Sequence, residues 1–459
     1  MLFTGSNSQD SGIFALRAKD LVTILKQEQP DVKKGAVVLF GAFEQERYVF
    51  RQESSFYYFT GITEPGAVAV FNLDGKSILY VPDHGNNRAA WVHTPLALTS
   101  ENAKKIGFDE IRVLGDMAPG YQFHAFSDKK HYSKLNADLS ELVSQDGKIF
   151  TLMPSNAHEY RDQRWQIERF NEFIPGFKQS CINISEIVAI LRRKKDMREI
   201  ERIYKAVEIT ALAQGAAAQA MSDGITESEV QASLEYMFTG SGARPAFPSI
   251  VATGKNGTIL HYNANRDFLK NGQLVVVDIG AELDYYCADL TRTYPVGGTF
   301  TKRQKELYTL VLECQELVAS KAKPGMWISN KEKPEQSLHH IAKKFLDERG
   351  YGKYFIHGIG HFMGLDVHDV GAVSEPLRDG DVFTIEPGIY IPEENIGIRI
   401  EDNYWVVKDG VVCLSETLPK KIEDIEAMML ADIEPDEEEF DEDELGANEE
   451  EEELDLAQS

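Results

Sequence analysis

The chain has 459 residues, 42% of them hydrophobic and 27% charged, a balance that suits a globular protein long enough for two ordinary domains. No apolar run approaches the roughly 18–20 residues that cross a bilayer, and the first ten residues lack the basic and apolar regions of a secretory signal. Of the formal net charge of −26, 16 acidic residues lie between Asp432 and Ser459 with no Lys or Arg among them, leaving −10 for the rest. That body is mildly acidic, which argues against nucleic acid as a partner. Four cysteines without a C-x-x-C pair suit reduced thiols in a cytoplasmic protein better than a disulfide framework.

Residues 1–175 read as one α/β domain. Ala36–Phe40, Ala67–Phe71 and Ser77–Val81 are strand-like, with Gly or Asp turns between them. The aromatic stretch from Tyr48 to Gly61 reads as buried packing. Five histidines in this half (His84, His93, His124, His131 and His158) have no ligand-set spacing and are expected to be surface or core residues. Pro175-Gly176 marks a boundary. The basic run Leu191-Arg-Arg-Lys-Lys195 is expected to be a solvated face leading into a helix rather than a nucleic-acid site.

A second domain, residues 185–431, follows. Asp196-x-x-Glu199, Thr226-x-x-Glu229 and Thr301-x-x-Gln304 are capping-box patterns, each opening a helix with an apolar stripe. The first stripe is Ile200, Ile203, Tyr204, Val207 and Ala211. The third is Leu307, Leu310, Val311, Cys314 and Val318, ended by Pro324-Gly325. A fourth helix carries Leu338, Ile341, Phe345 and Leu346, with His339 and His340 expected on its exposed side. Helices that flank strands make the second domain α+β. From Asp432 to Ser459 the chain is too acidic and too poor in apolar residues to offset its ordering entropy, so a disordered tail is expected.

Acids placed at the ends of apolar strands punctuate the second domain. Leu274-Val-Val-Val-Asp278 is a buried-strand pattern ending in a carboxylate, and Asp289 lies on the next extended segment, after a turn-prone Ala-Glu-Leu-Asp stretch. A hairpin there would bring both carboxylates to one face. His361 closes His357-Gly-Ile-Gly-His, Glu386 follows Val382-Phe-Thr-Ile, and Glu401 alternates with Arg399. One such acid is more often an ion-paired core residue. Four acids and an imidazole in this arrangement ask for a cation, because a buried charge is costly unless paired.

These motifs resemble the dinuclear metallopeptidases of the pita-bread fold (the creatinase/methionine aminopeptidase-like proteins), which include methionine aminopeptidase, prolidase and aminopeptidase P. The resemblance covers about residues 185–430. It implies that Asp278 chelates one metal ion, that Asp289 and Glu401 bridge two, and that His361 and Glu386 complete the second. Residues Arg51-Gln52 before the aromatic run, and Gly61 after it, are similar to the N-terminal domain of aminopeptidase P and prolidase, which methionine aminopeptidases lack.

The resemblance further implies a metal-bridged water or hydroxide that attacks the peptide bond preceding proline, with Glu386 as proton acceptor. His368 would bond the scissile carbonyl, His261 and His357 would line the proline pocket, His357 would join Glu386 and His368 as a catalytic residue, and Arg399 would lie at the substrate side or orient Glu401. The donor set is hard and oxygen-rich, which suits Mn2+ above thiolate-loving metals, with Co2+, Fe2+ or Zn2+ as alternative occupants. The expected protein is an Xaa-Pro aminopeptidase, as a homodimer or homotetramer; the alternatives are an Xaa-Pro dipeptidase and a non-catalytic binding module. No G-x-S-x-G, P-loop or H-E-x-x-H motif offers another mechanism.

Overall fold

Among the described residues, one six-stranded sheet organises the first half of the chain, and four small sheets of two or three strands organise the second. The structure, a computed structural model, describes residues 11–44, 48–85, 90, 99–118, 128–153 and 161–430. The acidic tail and His93, His124 and His158 lie outside the described residues.

In the first half, strands β1 (Gly35–Phe40), β2 (Val68–Asn72), β3 (Ser77–Val81), β4 (Glu110–Val113), β5 (Lys148–Thr151) and β6 (Cys181–Asn183) form one sheet in the order β4-β3-β2-β1-β5-β6. The strands read as continuous apolar runs because both faces are covered. Ala36, Val38, Phe40, Val68 and Val70 face a core with Tyr132, Leu135 and Phe170. Val37, Leu39, Ala69 and Phe71 face the opposite core, which also takes in Tyr286, Leu290, Met363 and Leu365 from the second half. That shared core joins the two halves. The sheet continues past Pro175-Gly176, since β6 pairs in parallel with β5 and a division at 175 would sever it.

Only the second part of the aromatic stretch is helical; Tyr48 and Val49 lie outside the helix and are exposed, at 73% and 84%, against the expectation of buried packing. Helix α1 spans Ser11–Glu28 and α2 spans Ser54–Thr60, where the Glu53 carboxylate accepts from the N–H groups of Ser55 and Phe56 and Gly61 ends the helix at φ 64°. Phe56, Tyr57, Tyr58 and Phe59 are all buried.

Helix α3 (Ser185–Arg193) leads into the second half, and here the basic run departs from expectation. Arg192, Arg193 and Lys195 are buried, at 1%, 2% and 6% exposure. Acids far along the chain cover them. Arg193 is forked onto Asp381 and reaches Glu375, while Arg192 and Lys195 both meet Asp369.

All three capping boxes form, opening α4 (Met197–Ala220), α5 (Glu227–Gly240) and α6 (Lys302–Lys321). Tyr204 falls outside the buried stripe of α4, at 40% exposure. On α7 (Leu338–Glu348), His339 and His340 are half-buried rather than exposed, with the His339 ring against Phe355.

Of the strands β7 (Arg244–Pro245), β8 (Ile250–Thr253), β9 (Leu274–Ile279), β10 (Ala281–Leu283), β11 (Tyr286–Cys287) and β12 (Leu290–Pro295), β9 is central, antiparallel to β8 and β12. The β10–β11 hairpin turns on Asp284 and Tyr285, both left-handed at φ 49° and 74°. Two positive φ values are what a tight hairpin turn needs. Tyr285 adopts one because its ring stacks on Tyr57 of α2 at 3.9 Å. Strands β13 (Val382–Ile385), β14 (Gly388–Ile391), β15 (Ile396–Arg399), β16 (Asp402–Val407) and β17 (Gly410–Cys413) complete the second half. The chain after β15 crosses β12, where the Glu401 N–H donates to the Thr291 carbonyl.

Candidate metal centre

Each acid is presented by a strand end whose backbone is held in place. Asp278 is the fifth residue of β9, opposite Ile250 and Thr291, and is buried. Gly280 lets the chain turn back at once, because a Cβ there would collide with the Ala288 carbonyl. Asp289 follows the β10–β11 hairpin, and the Asn403 amide clamps its backbone in both directions, at 3.1 and 2.6 Å. The Glu401 carboxylate accepts from the Thr291 hydroxyl at 2.7 Å.

His361 and Glu386 come from segments that bond each other. Thr384 N–H donates to the His361 carbonyl, Glu386 N–H to that of Ile359, and His361 N–H to the Thr384 hydroxyl. Gly360 permits this approach; a Cβ would strike the Thr384 carbonyl. His361 Nδ1–H donates to the Phe362 carbonyl at 3.1 Å, which leaves Nε2 free to face Asp289 at 3.4 Å and Glu386 at 3.6 Å. An imidazole held through one nitrogen offers the other as a metal ligand.

Ligand atoms of Asp289, His361 and Glu401 lie within 4.8 Å of one another. Asp278 Oδ1, Asp289 Oδ1 and Glu401 Oε1 are buried and have no hydrogen-bond partner. Burial, with the Asp278 and Glu386 charges, holds the Asp289 carboxyl well above the usual carboxylate range. Burial and the Asp289 charge do the same for Glu401, and burial raises Glu386. Converging carboxylates with orphaned oxygens fit divalent cations, which supply both the missing partner and the missing charge.

Above these acids is a cavity of about 460 Å³, and all nine residues singled out from the sequence line it: Asp278, Asp289, His361, Glu386, Glu401, His261, His357, His368 and Arg399. Phe247, Pro248, Ile250, Leu260 and Val367 supply apolar wall. The His368 ring meets His361 edge-on, with centroids 4.3 Å apart. Burial and the Arg399 charge push the His357 pKa down to about 3; burial and His361 push that of His368 down to about 4. Both imidazoles are therefore neutral near pH 7.

Arg399 differs from its expected place. Its guanidinium holds Asp278, at 2.6 Å, not Glu401, and it also donates to the Tyr390 and Thr291 hydroxyls. The reason is the crossing of β12, which puts Thr291 between Arg399 and Glu401. Tyr390 in turn donates to His357 Nε2 at 2.9 Å, while His357 Nδ1–H donates to the Gly358 carbonyl. Sequence reasoning missed Thr291, Thr384 and Tyr390. The two threonines carry a signal, each lying two residues from a site acid on the same strand face. Tyr390 carries none, because its contact with Arg399 depends on the β14–β15 register.

The profile of metallopeptidase family M24 matches residues 201–408, and that of the aminopeptidase P N-terminal domain matches residues 14–129. The Xaa-Pro aminopeptidase of Escherichia coli is 32% identical over 443 residues, 89% of this chain and 96% of its own. The chain belongs to metallopeptidase family M24. Within the family, the Xaa-Pro dipeptidase of Pyrococcus furiosus is 40% identical over 258 residues, 55% of this chain and 70% of that protein. The structure of zinc-substituted E. coli aminopeptidase P in complex with product superposes with a TM-score of 0.76 at 30% identity, covering 93% of this chain and 99% of that one. The expected fold, an α/β N-terminal domain before a pita-bread catalytic domain, is therefore the fold of this M24 chain.

Proposed function

We propose that this M24 chain is a metal-dependent Xaa-Pro aminopeptidase that hydrolyses the bond between an N-terminal residue and a following proline. The observation that carries the reading is the set of orphaned carboxylate oxygens on Asp278, Asp289 and Glu401, beneath a cavity walled by His261, His357 and His368. Asp278, Asp289, His361, Glu386 and Glu401 would hold two divalent cations, with Mn2+ best suited to so oxygen-rich a set. When bound, the cations supply an activated water and polarise the peptide carbonyl.

The chain's own groups do the rest. Glu386, with its carboxyl pKa raised by burial, accepts the proton of the attacking water. His368, neutral near pH 7, donates an N–H to the scissile carbonyl oxygen. His357 has both ring nitrogens engaged, so it offers substrate its ring rather than a proton, and with His261 it walls the proline pocket. Arg399 fixes the orientation of Asp278.

Two features favour the aminopeptidase over the dipeptidase. The near full-length similarity is to an Xaa-Pro aminopeptidase, whereas the similarity to the Xaa-Pro dipeptidase spans 55% of this chain. Among the described residues lining the cavity, Arg399 carries the only permanent positive charge, and Asp278 already engages it. No fixed cation among the described residues lining the cavity is left to bind the free carboxylate of a dipeptide. The homodimeric or homotetrameric state and cytoplasmic location rest on family resemblance and composition; no helix among the described residues is long and apolar enough to cross a membrane.

The test is an assay of the purified protein with added Mn2+ on X-Pro dipeptides, longer X-Pro peptides and Met-Ala controls. The expected result is a kcat/KM for tri- and longer X-Pro peptides at least equal to that for dipeptides. Cleavage of dipeptides alone would reassign the chain as a dipeptidase. Activity on Met-Ala but not X-Pro peptides would remove the proline specificity, and metal binding without any cleavage would leave a binding module.

A further inference from the structure

Arg192 and Lys195, buried members of the basic run, have no part in the chemistry above, yet their ion pairs end on the segment that carries His368. Val367 and His368 both line the cavity, and they are bracketed by two acids, Asp366 and Asp369. Arg192 Nη2 donates to Asp366 Oδ2 at 2.8 Å and to Asp369 Oδ1 at 2.5 Å, while its Nη1 donates to Ser55 Oγ of α2. Lys195 Nζ reaches the other Asp369 oxygen at 2.8 Å. From the first half of the chain, Arg51 donates to the Leu365 carbonyl and Ser54 Oγ donates to Asp366 Oδ1. Gly364 leaves room for this cluster, because a Cβ there would strike Asp369 and Lys195.

Arg192 and Asp369 side chains are each 1% exposed, so this pair is shielded from solvent. Arg192 joins three anchors at once: α2 of the N-terminal domain and both acids flanking the two cavity-lining residues. A guanidinium fork can satisfy acceptors in different directions, which a single ammonium cannot.

We propose that Arg192 is a positioning residue that fixes His368 against the substrate carbonyl, and that the N-terminal domain sets catalytic rate through this guanidinium. The proposal rests on the role given to His368 in the Xaa-Pro aminopeptidase reading. It predicts a loss in kcat rather than KM, because His261 and His357, which wall the substrate pocket, lie outside the network.

The test is a double-mutant cycle between Arg192→Lys and His368→Ala on a longer X-Pro peptide, alongside metal content, melting temperature and amide hydrogen exchange. Arg192→Lys alone is expected to lower kcat at least about tenfold through misplacement of one catalytic group, with KM and bound metal unchanged. In the His368→Ala background the same substitution is expected to cost almost nothing, because its effect has already been removed. Amides 365–369 are expected to exchange faster while the rest of the protein keeps its protection. Additive losses, or an unchanged kcat in Arg192→Lys, would overturn the proposal. If Arg192→Lys does not fold, Asp366→Asn, whose carboxyl is 36% exposed, carries the same cycle and the same criteria. A wild-type protein inert on X-Pro peptides would instead sink the functional reading. The exchange measurement then decides this proposal alone: faster exchange confined to 365–369 supports it, and unchanged exchange refutes it.

Discussion

Asp289 and Glu401 are 5% and 2% exposed, and a carboxylate so placed is held by whatever cation replaces water around it. If Asp289 and Glu401 hold both ions as proposed, Asp289→Asn and Glu401→Gln are each expected to lose both metals and at least about a thousandfold in kcat. Asp278→Asn is expected to retain one metal; metal analysis per chain checks all three. The raised carboxyl pKa values also set a pH dependence. Without metal, the folded state keeps protons that the unfolded chain releases above about pH 4, so stability falls as pH rises from there. Metal binding removes those protons, and the melting-temperature gap between loaded and chelated protein is expected to widen from about pH 5 to 8. His357 acts in the opposite sense. Its folded pKa of about 3 lies below the unfolded value of about 6.5, so it costs nothing above that pH and loses stability as pH falls through the interval. In chelated protein, His357→Gln is expected to flatten urea-unfolding stability against pH by up to about 1.4 kcal/mol per unit between about pH 6 and 4. An unchanged slope would mean that His357 titrates normally.

At the scale of elements, legibility followed sequence distance. The three capping boxes were readable because N-cap and N3 are three residues apart and need no partner from elsewhere. Thr301→Ala is expected to cost about 1 kcal/mol in urea unfolding without altering kcat, since it removes one cap far from the cavity. The basic run was misread because the acids that bury it, Asp366, Asp369, Glu375 and Asp381, follow more than 170 residues later. The expectation of buried packing for the aromatic stretch holds for Phe56–Phe59 and fails at the exposed Tyr48, and the helical form depends on the Glu53 cap and Gly61 stop. Gly360 belongs to this scale as well. Gly360→Ala would force the His361 segment away from β13, and a loss of at least about 1–3 kcal/mol together with weakened metal binding is expected. Calorimetry and metal titration on the same sample measure both.

In the whole molecule, the N-terminal sheet and the catalytic domain share a core, so the first half is part of the catalytic scaffold. The acidic tail is expected to contribute nothing to turnover: its charge is screened within about 8–10 Å at physiological salt. Truncation after Ala431 should leave kcat/KM on X-Pro peptides unchanged, and a large loss would show that the tail docks on the body. By itself the sequence determined the strands that end in acids, the His-Gly-Ile-Gly-His segment, the capped helices and the family they resemble. These features are local, written in hydrophobic periodicity and short spacing. Only the tertiary structure decided that Arg399 holds Asp278, that Thr291 holds Glu401, that Tyr390 links Arg399 to His357, and that Arg192 reaches the His368 loop. Each of these contacts joins groups brought together by strand crossing or domain packing, and the direction of a side chain across such a junction is fixed by the register and burial of both partners.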